Sequence, residues 1–264
     1  MQKGKGNKSL EQFYDKVYVK GDKRHYTKLL FLQQKGLPLE ESKALGAVAW
    51  RGKRVLDVGC GTGLLAYEIA KRGAAEVVGI DFSKTAITEA EILYRAANLS
   101  FLKQDVKDHR GTYDVIISLG TLEHMDDPLG ALKLFKRHLR PGGNIVITSP
   151  NWSNPRGYML QTLRFLFDAP ITLADLHYLT PLDFERWSKK LGMKLEWETF
   201  DFSWAQGEVL LKDFTRRLPN VLRDAKLPNK QANIDRFIKW IKETILPLDH
   251  KTKFSGALGL YIFK

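Results

Sequence analysis

The stretch VLDVGCGTG, residues 55–63, constrains the fold of this chain more than any other. Its first half alternates apolar and small residues around one carboxylate, Asp57, which describes a buried strand. Its second half sets Gly59, Gly61 and Gly63 at every second position, so the strand runs into a turn where backbone must pass close to something. Two phosphate-binding turns differ from it. A dinucleotide fingerprint, G-x-G-x-x-G, needs a glycine where Leu64 stands, and a P-loop needs a Gly-Lys-Ser/Thr that is absent. With a carboxylate just upstream and no basic residue in the turn, the loop suits a ligand bearing positive charge rather than a polyphosphate.

Around this turn the chain alternates strand and helix. RVLDVG, EVVGIDF, LSFLKQDV, YDVIISLG and NIVITSP have the pattern of strands, and GLLAYEIAKRG, SKTAITEAEILYRAA and PLGALKLFKRHLRPGG that of helices between them. Ser83 is placed to cap the second helix, and Leu129, Leu132, Phe135 and Leu139 form an apolar stripe on the third. Strands this apolar are expected to be buried on both faces, in a parallel sheet covered by helices. Further on, PLDFERWSKKLG predicts a helix, MKLEWETFDF a strand and GALGLYIFK a last strand. Between those two strands, Leu210, Phe214, Leu218 and Val221, then Ile234, Phe237, Ile238, Ile241 and Ile245, recur at helical spacing. Both stripes are expected to be packing surface, of the core or of a lid.

Composition removes several classes. At 264 residues the chain accommodates one α/β domain with insertions or two small domains, and 44% apolar and 27% charged residues are those of a soluble globular protein. The single cysteine, Cys60, excludes a disulfide framework and fits a reducing, cytoplasmic location. The basic N-terminus MQKGKGNKSLEQFYDK lacks the apolar core of a secretory signal. The apolar stretch YMLQTLRFLFDAPITLADL is broken by Arg164, Asp168 and Pro170, so no membrane span is expected. The net charge of +12 is spread over both ends with no run of five like charges, and is read as solubility before nucleic-acid binding.

Acidic residues mark the strand exits. Asp81 ends EVVGID, where a carboxylate can accept hydrogen bonds from both hydroxyls of a ribose. Gln104-Asp105-Val106 sets another carboxylate, beside a backbone N–H, in reach of an adenine amino group. As purely structural residues, three such carboxylates would need three separate partners, because an unpaired buried charge is costly. S-adenosylmethionine, a nucleoside with a sulfonium, an ammonium and no phosphate, suits all three.

In order along the chain, VLDVGCGTG, VVGIDFS, FLKQDV, YDVIISLGTLEH and LRPGGNIVITSPN resemble the class I S-adenosylmethionine-dependent methyltransferases, within the type 11 group that includes ubiquinone-pathway O-methyltransferases. The resemblance covers residues 50–152 closely and the flanks in outline. It implies an α/β fold with a Rossmann-like, seven-stranded, mostly parallel sheet, its last strand antiparallel, plus helical lid insertions. It further implies that Gly59, Gly61 and Gly63 border the methionine part of the cofactor, with Asp57 of the same motif also in the cofactor site. Asp81 would hold the ribose and Phe82 lie against the adenine. Asp105 and Val106 would read the adenine edge, and Leu119 would close the floor. Tyr14 and Tyr18 are candidates to bond the cofactor carboxylate from a first helix. The expected organisation is one methyltransferase domain over residues 1–264: an N-terminal helical lid (1–49), a cofactor-binding core (50–151), and substrate-cap insertions at 152–180 and 205–250.

Methyl transfer from a sulfonium is an in-line displacement, so positioning and a dry pocket supply much of the acceleration. A hydroxyl acceptor must also lose a proton. His124 follows the fourth strand, where open α/β sheets bind ligands, and imidazole suits a general base; His124 and Glu123 are the expected catalytic residues. His25, His109, His138 and His250 stand in surface-like contexts and are assigned no role. SPNW, residues 149–152, is similar to an Asn/Asp-Pro-Pro-aromatic motif that grips planar amino groups. It has Asn for the second proline and follows the wrong strand, which argues against methylation of a base amino group or glutamine amide. Metal-using relatives similar at Leu122-Glu123-His124 carry a further Glu where Gly120 stands, so a hard cation would lack a carboxylate and no metal is expected. Asp175 and His177 are the insertion residues that could replace it. Trp152, Tyr158, Met159, Phe165, Phe167, His177 and Tyr178 offer surface to enclose an apolar or aromatic acceptor. The expected acceptor is a small or lipid-like hydroxyl compound. RNA bound by the basic surface is the alternative partner, and a cofactor-binding regulatory protein without turnover is a third reading.

Overall fold

Val, Ile and Leu dominate the predicted strands, and in the computed structural model, which describes residues 37–264 apart from 173, 249 and 250, these pair into one seven-stranded sheet. The strands are β1 (Arg54–Val58), β2 (Glu76–Asp81), β3 (Leu99–Lys103), β4 (Tyr113–Leu119), β5 (Leu139–Pro150), β6 (Leu195–Phe200) and β7 (Leu258–Phe263). Their order is β3-β2-β1-β4-β5-β7-β6, parallel from β3 to β5, with β7 antiparallel to both β5 and β6. The order reverses between β1 and β4, which opens a crevice at the carboxyl ends of those strands.

Helices α1 (Leu39–Leu45), α2 (Leu64–Lys71), α3 (Lys84–Leu93), α4 (Pro128–Arg137), α5 (Pro155–Phe167), α6 (Pro181–Leu191), α7 (Phe202–Gln206), α8 (Glu208–Asp224) and α9 (Gln231–Trp240) complete the described elements. Alternation along the strands divides the core. Val55, Val77, Val115, Ile117 and Val146 face one side, with Leu45 of α1, Leu65 and Ile69 of α2, and Ala90 of α3. Leu56, Ile80, Ile116, Ile145 and Ile147 face the other, with Leu132 and Phe135 of α4 and Phe184 of α6. Phe184 stacks on Tyr261 of β7 at 3.6 Å, both fully buried, and removal of such a ring costs about 3–5 kcal/mol.

A third apolar cluster lies apart from the sheet. The two stripes expected between the last strands build it: Leu210, Phe214, Leu218 and Val221 from α8 meet Ile234 and Ile241, with Trp152 and Leu160 joining from the first insertion. Among the described residues no helix is long and apolar enough to cross a membrane.

Local signals decide most boundaries. The Ser83 hydroxyl accepts from the Ala86 N–H at 3.2 Å and caps α3 as expected. Thr180 and Asp183 form a capping box at the start of α6, and Gly192 ends that helix in the left-handed region. Three expectations shift. The third predicted helix stops at Arg137, and Leu139 pairs with Tyr113, so the LRPGG segment belongs to β5; strand pairing outweighed the Pro-Gly-Gly stop. α3 ends at Leu93 because Tyr94 turns extended and stacks on Tyr67 at 4.9 Å. β3 is an edge strand, so its alternate side chains are exposed rather than covered on both faces.

Candidate active site

The glycine turn sits at the carboxyl end of β1, on the crevice. Gly59 and Gly63 take φ of +76° and +87°, in the left-handed region that favours glycine. A Cβ on Gly59 would lie 2.6 Å from the Thr121 hydroxyl, and one on Gly63 would lie 2.5 Å from the Phe101 ring. The amides of Gly59 and Cys60 donate to the Ile80 carbonyl at 2.8 and 3.1 Å, which ties the turn to the end of β2. There the Asp81 carboxylate accepts from the Gly61 amide at 3.0 Å and the Ser83 amide at 2.8 Å. Asp81 therefore orders the loop it was expected to serve.

A cavity of about 360 Å³ opens beside this turn, and six of the predicted residues line it: Gly59, Asp81, Phe82, Asp105, Val106 and His124. The others stand behind the wall. Gly61 is bonded to Asp81, Gly63 caps α2, and Leu119 packs into the core beside Val146 and Ile117. Asp57 and Glu123 are buried beneath, at 2% and 3% exposure. Tyr14, Tyr18, His25 and His250 lie outside the described residues.

The buried acids share one electrostatic character. Desolvation, with the charges of Asp81 and Glu41 nearby, pushes Asp57 up to about 8, and among the described residues its Oδ2 has no hydrogen-bond partner. Glu123 is driven well above the carboxylate range by desolvation and then by Asp175; the Ser149 hydroxyl donates to its Oε2 at 3.3 Å. Glu40 of α1 is not marked by the sequence, where an acidic pair in a first helical turn looks like ordinary dipole complementation. Its carboxylate accepts from the Thr148 hydroxyl, and desolvation raises it to about 7. Among the described residues no three His, Cys, Asp or Glu side chains converge in a way that would hold a metal ion. The cavity itself is lined by Asp81, Asp105, Asp126 and Asp127 alongside Lys107 and Arg137, a lining whose excess of carboxylates suits a cationic nucleoside.

His124 ends a short 3-10 turn, Leu122–His124, after β4. Its Nδ1 lies 3.2 Å from the Ala174 carbonyl and 3.6 Å from Asp175 Oδ1. A carbonyl only accepts, so Nδ1 carries the hydrogen and the neutral ring has its lone pair on Nε2, 4.0 Å from Glu123 Oε1. The Leu176 and His177 amides both donate to the Glu123 carbonyl, and the His177 Nε2–H donates to the Met125 carbonyl at 2.9 Å. The first insertion is thereby fastened over the His124 turn.

Several other residues have structural duties. His109 is buried, bonded to Gln104 and to the Tyr113 hydroxyl, contrary to its surface-like context in sequence. Asn151 of SPNW donates to the Phe254 and Gly256 carbonyls and so braces the approach to β7. Of the aromatics expected to enclose an acceptor, Trp152 and Tyr178 pack edge to face at 4.8 Å. Tyr158 and Phe165 are 61% and 74% exposed, because Asn154 and Pro155 start α5 in a phase that buries Arg156, Gly157 and Leu160 instead.

Sheet order, glycine turn and acidic crevice together define a Rossmann-like nucleoside-binding enzyme. Residues 31–196 match the methyltransferase domain family, and the chain belongs to it, among the class I S-adenosylmethionine-dependent methyltransferases. A ubiquinone biosynthesis O-methyltransferase of Alkalilimnicola ehrlichii is 34% identical over 157 residues, 54% of this chain and 62% of that protein. One of Vibrio parahaemolyticus is 37% identical over 114 residues, 41% of this chain and 48% of that protein. The matched region thus spans 48–62% of the length of these relatives. Among solved structures, the magnesium protoporphyrin IX methyltransferase of Synechocystis with bound S-adenosylhomocysteine has a TM-score of 0.53 at 21% identity, covering 72% of this chain and 91% of that one. An S-adenosylmethionine-dependent methyltransferase from Mesorhizobium loti has a TM-score of 0.53 at 15% identity, covering 84% and 96%. At these identities the structural likeness is one of fold.

Proposed function

We propose that this protein transfers a methyl group to a hydroxyl oxygen of a small or lipid-like acceptor, with His124 as general base. The observation that carries the reading is the Nδ1 contact of His124 to the Ala174 carbonyl, which leaves the basic nitrogen at Nε2 on a residue that lines the crevice. S-adenosylmethionine, when bound, supplies a methyl group on a sulfonium. Asp81 would hold the ribose hydroxyls, Phe82 would lie against the adenine, and Asp105 with Val106 would meet the adenine edge. As the acceptor oxygen bonds to the methyl carbon, the carbon–sulfur bond would break with its electron pair returning to sulfur as a neutral thioether, and His124 would take the acceptor's proton at Nε2. Glu123, whose burial favours its protonated form, sits beside the nitrogen that becomes cationic. Residues 152–180 and 205–250 act as the acceptor cap and exclude water. Likeness to ubiquinone biosynthesis O-methyltransferases favours oxygen as the nucleophile.

Methyl-labelled cofactor incubated with a metabolite extract identifies the acceptor. His124→Ala then lowers kcat by about 10²–10⁴-fold near neutral pH with cofactor affinity little changed, and the loss shrinks as pH approaches the acceptor's own pKa. A deficit equal at every pH would reduce His124 to positioning, and label in RNA rather than a small molecule would overturn the acceptor class.

A further inference from the structure

We propose that Asp175, brought in by the first insertion, is the positioning carboxylate of His124: it orients the ring from the Nδ1 side and balances the charge the ring gains on taking the acceptor's proton. The inference rests on the reading of His124 as general base.

Segment 174–177 wraps the 3-10 turn that carries His124. The Ala174 carbonyl lies 3.2 Å from Nδ1, the Leu176 and His177 amides donate to the Glu123 carbonyl, and His177 Nε2 donates to the Met125 carbonyl. These bonds hold Asp175 Oδ1 3.6 Å from His124 Nδ1, with the Asp175 side chain only 14% exposed. A carbonyl can fix which nitrogen bears the hydrogen, but it has no charge to set against an imidazolium. A carboxylate does both.

Two acids flank the ring, Asp175 on the Nδ1 side and Glu123 on the Nε2 side, and their surroundings decide between them. Glu123 is driven upward by burial and then by the charges of Asp175 and Glu40, so its neutral form is favoured. Desolvation raises Asp175 too, but His124, Arg156 of α5 and Arg217 of α8 all pull it down. The Tyr178 phenol, on the same segment, also lies in its field and is itself held up by burial. Both guanidiniums are buried and share Asp213, at 3.1 and 2.8 Å, so Asp175 is a second anion facing two fixed cations. Arg217 Nη1 also donates to the Ile171 carbonyl at 2.8 Å, which ties the insertion to α8. In the transfer step the acceptor's proton goes to His124 Nε2 and Asp175 stays a carboxylate throughout.

NMR of the His124 ring nitrogens in the full chain, without acceptor, tests the pairing directly. The parent ring should carry its hydrogen on Nδ1, and Asp175→Asn should lower the pH at which the ring titrates by about one. A titration at the same pH in both proteins overturns the proposal, whatever His124 does in turnover. The carboxyl carbon signal of Asp175 in the parent protein should report an anion near neutral pH, and a protonated group there overturns it without any variant. With an acceptor in hand, Asp175→Asn should lower kcat by about 10²-fold while S-adenosylmethionine affinity changes by less than about twofold, and Asp175→Glu should recover part of the loss. Added to His124→Ala, the same change should cost less than about twofold, because Asp175 acts through the ring. A full further loss in that background makes Asp175 a residue of the fold and overturns the proposal. A His124→Ala enzyme with parental kcat removes the base and this role together; a crippled His124→Ala beside a fully active Asp175→Asn removes this role only.

Discussion

Asp57 and Asp213 are buried to the same degree, 2% and 3% exposed, yet their surroundings are opposite. Asp213 lies on α8, in the helical cluster outside the sheet, between two guanidiniums: Arg156 at 3.1 Å and Arg217 at 2.8 Å. Desolvation pulls it upward, but Arg217 and Arg156 outweigh that and hold it below the usual carboxylate range. Asp57, under the glycine turn, meets the same desolvation with further acids as neighbours and rises to about 8. The helical region has neutralised its buried charge internally, as a structural element must. At the carboxyl end of the central strand β1, Asp57 has no basic neighbour among the described residues that lowers it, an environment more typical of functional sites than of structural ion pairs.

The contrast fails most visibly if Asp213 proves dispensable. Asp213→Ala takes the anion from between two buried arginines and should cost about 3–5 kcal/mol of stability by urea unfolding. A variant as stable as the parent would mean that the ionic knot does not hold the helical region together. Asp57→Asn should behave in the opposite way. A carboxylate with a raised folded-state pKa binds more protons folded than unfolded, so its ionisation weakens the fold increasingly from pH 4 up to pH 8. The substitution should therefore stabilise the unliganded protein by roughly 2–4 kcal/mol at pH 8 and by almost nothing at pH 4. Loss of stability at both pH values would show that the apparent orphan has a structural partner. Asp81→Ala sharpens the comparison on the ligand side. It should weaken S-adenosylmethionine binding by about 1.5–3 kcal/mol, the size of hydrogen bonds to a charged group. Unchanged affinity by calorimetry would leave Asp81 a structural role, through its bonds to the Gly61 and Ser83 amides.

Much of the sheet was legible because its signals are local. Apolar runs carrying Asp57, Asp81 and Asp105 near their ends, with glycines spaced for a left-handed turn, depend on neighbours a few residues away, and Asp81, Asp105 and His124 line one cavity. Boundaries were lost where pairing overruled local propensity, as when Leu139 left the α4 stripe to pair with Tyr113.

By itself the sequence determined the sheet-and-helix alternation, the glycine turn, the cofactor class and the position of His124, since each is written in contiguous residues. Only the tertiary structure decided the charge states and the company those residues keep. Nothing in LEES announces that Glu40 will meet Thr148, 108 positions away, or that its carboxyl will rise to about 7. Nor does the helical spacing of α8 tell which of its polar residues will be enclosed by Arg156 from another element. Desolvation and Coulomb interactions act through space, so their outcome depends on which distant segments the fold brings together.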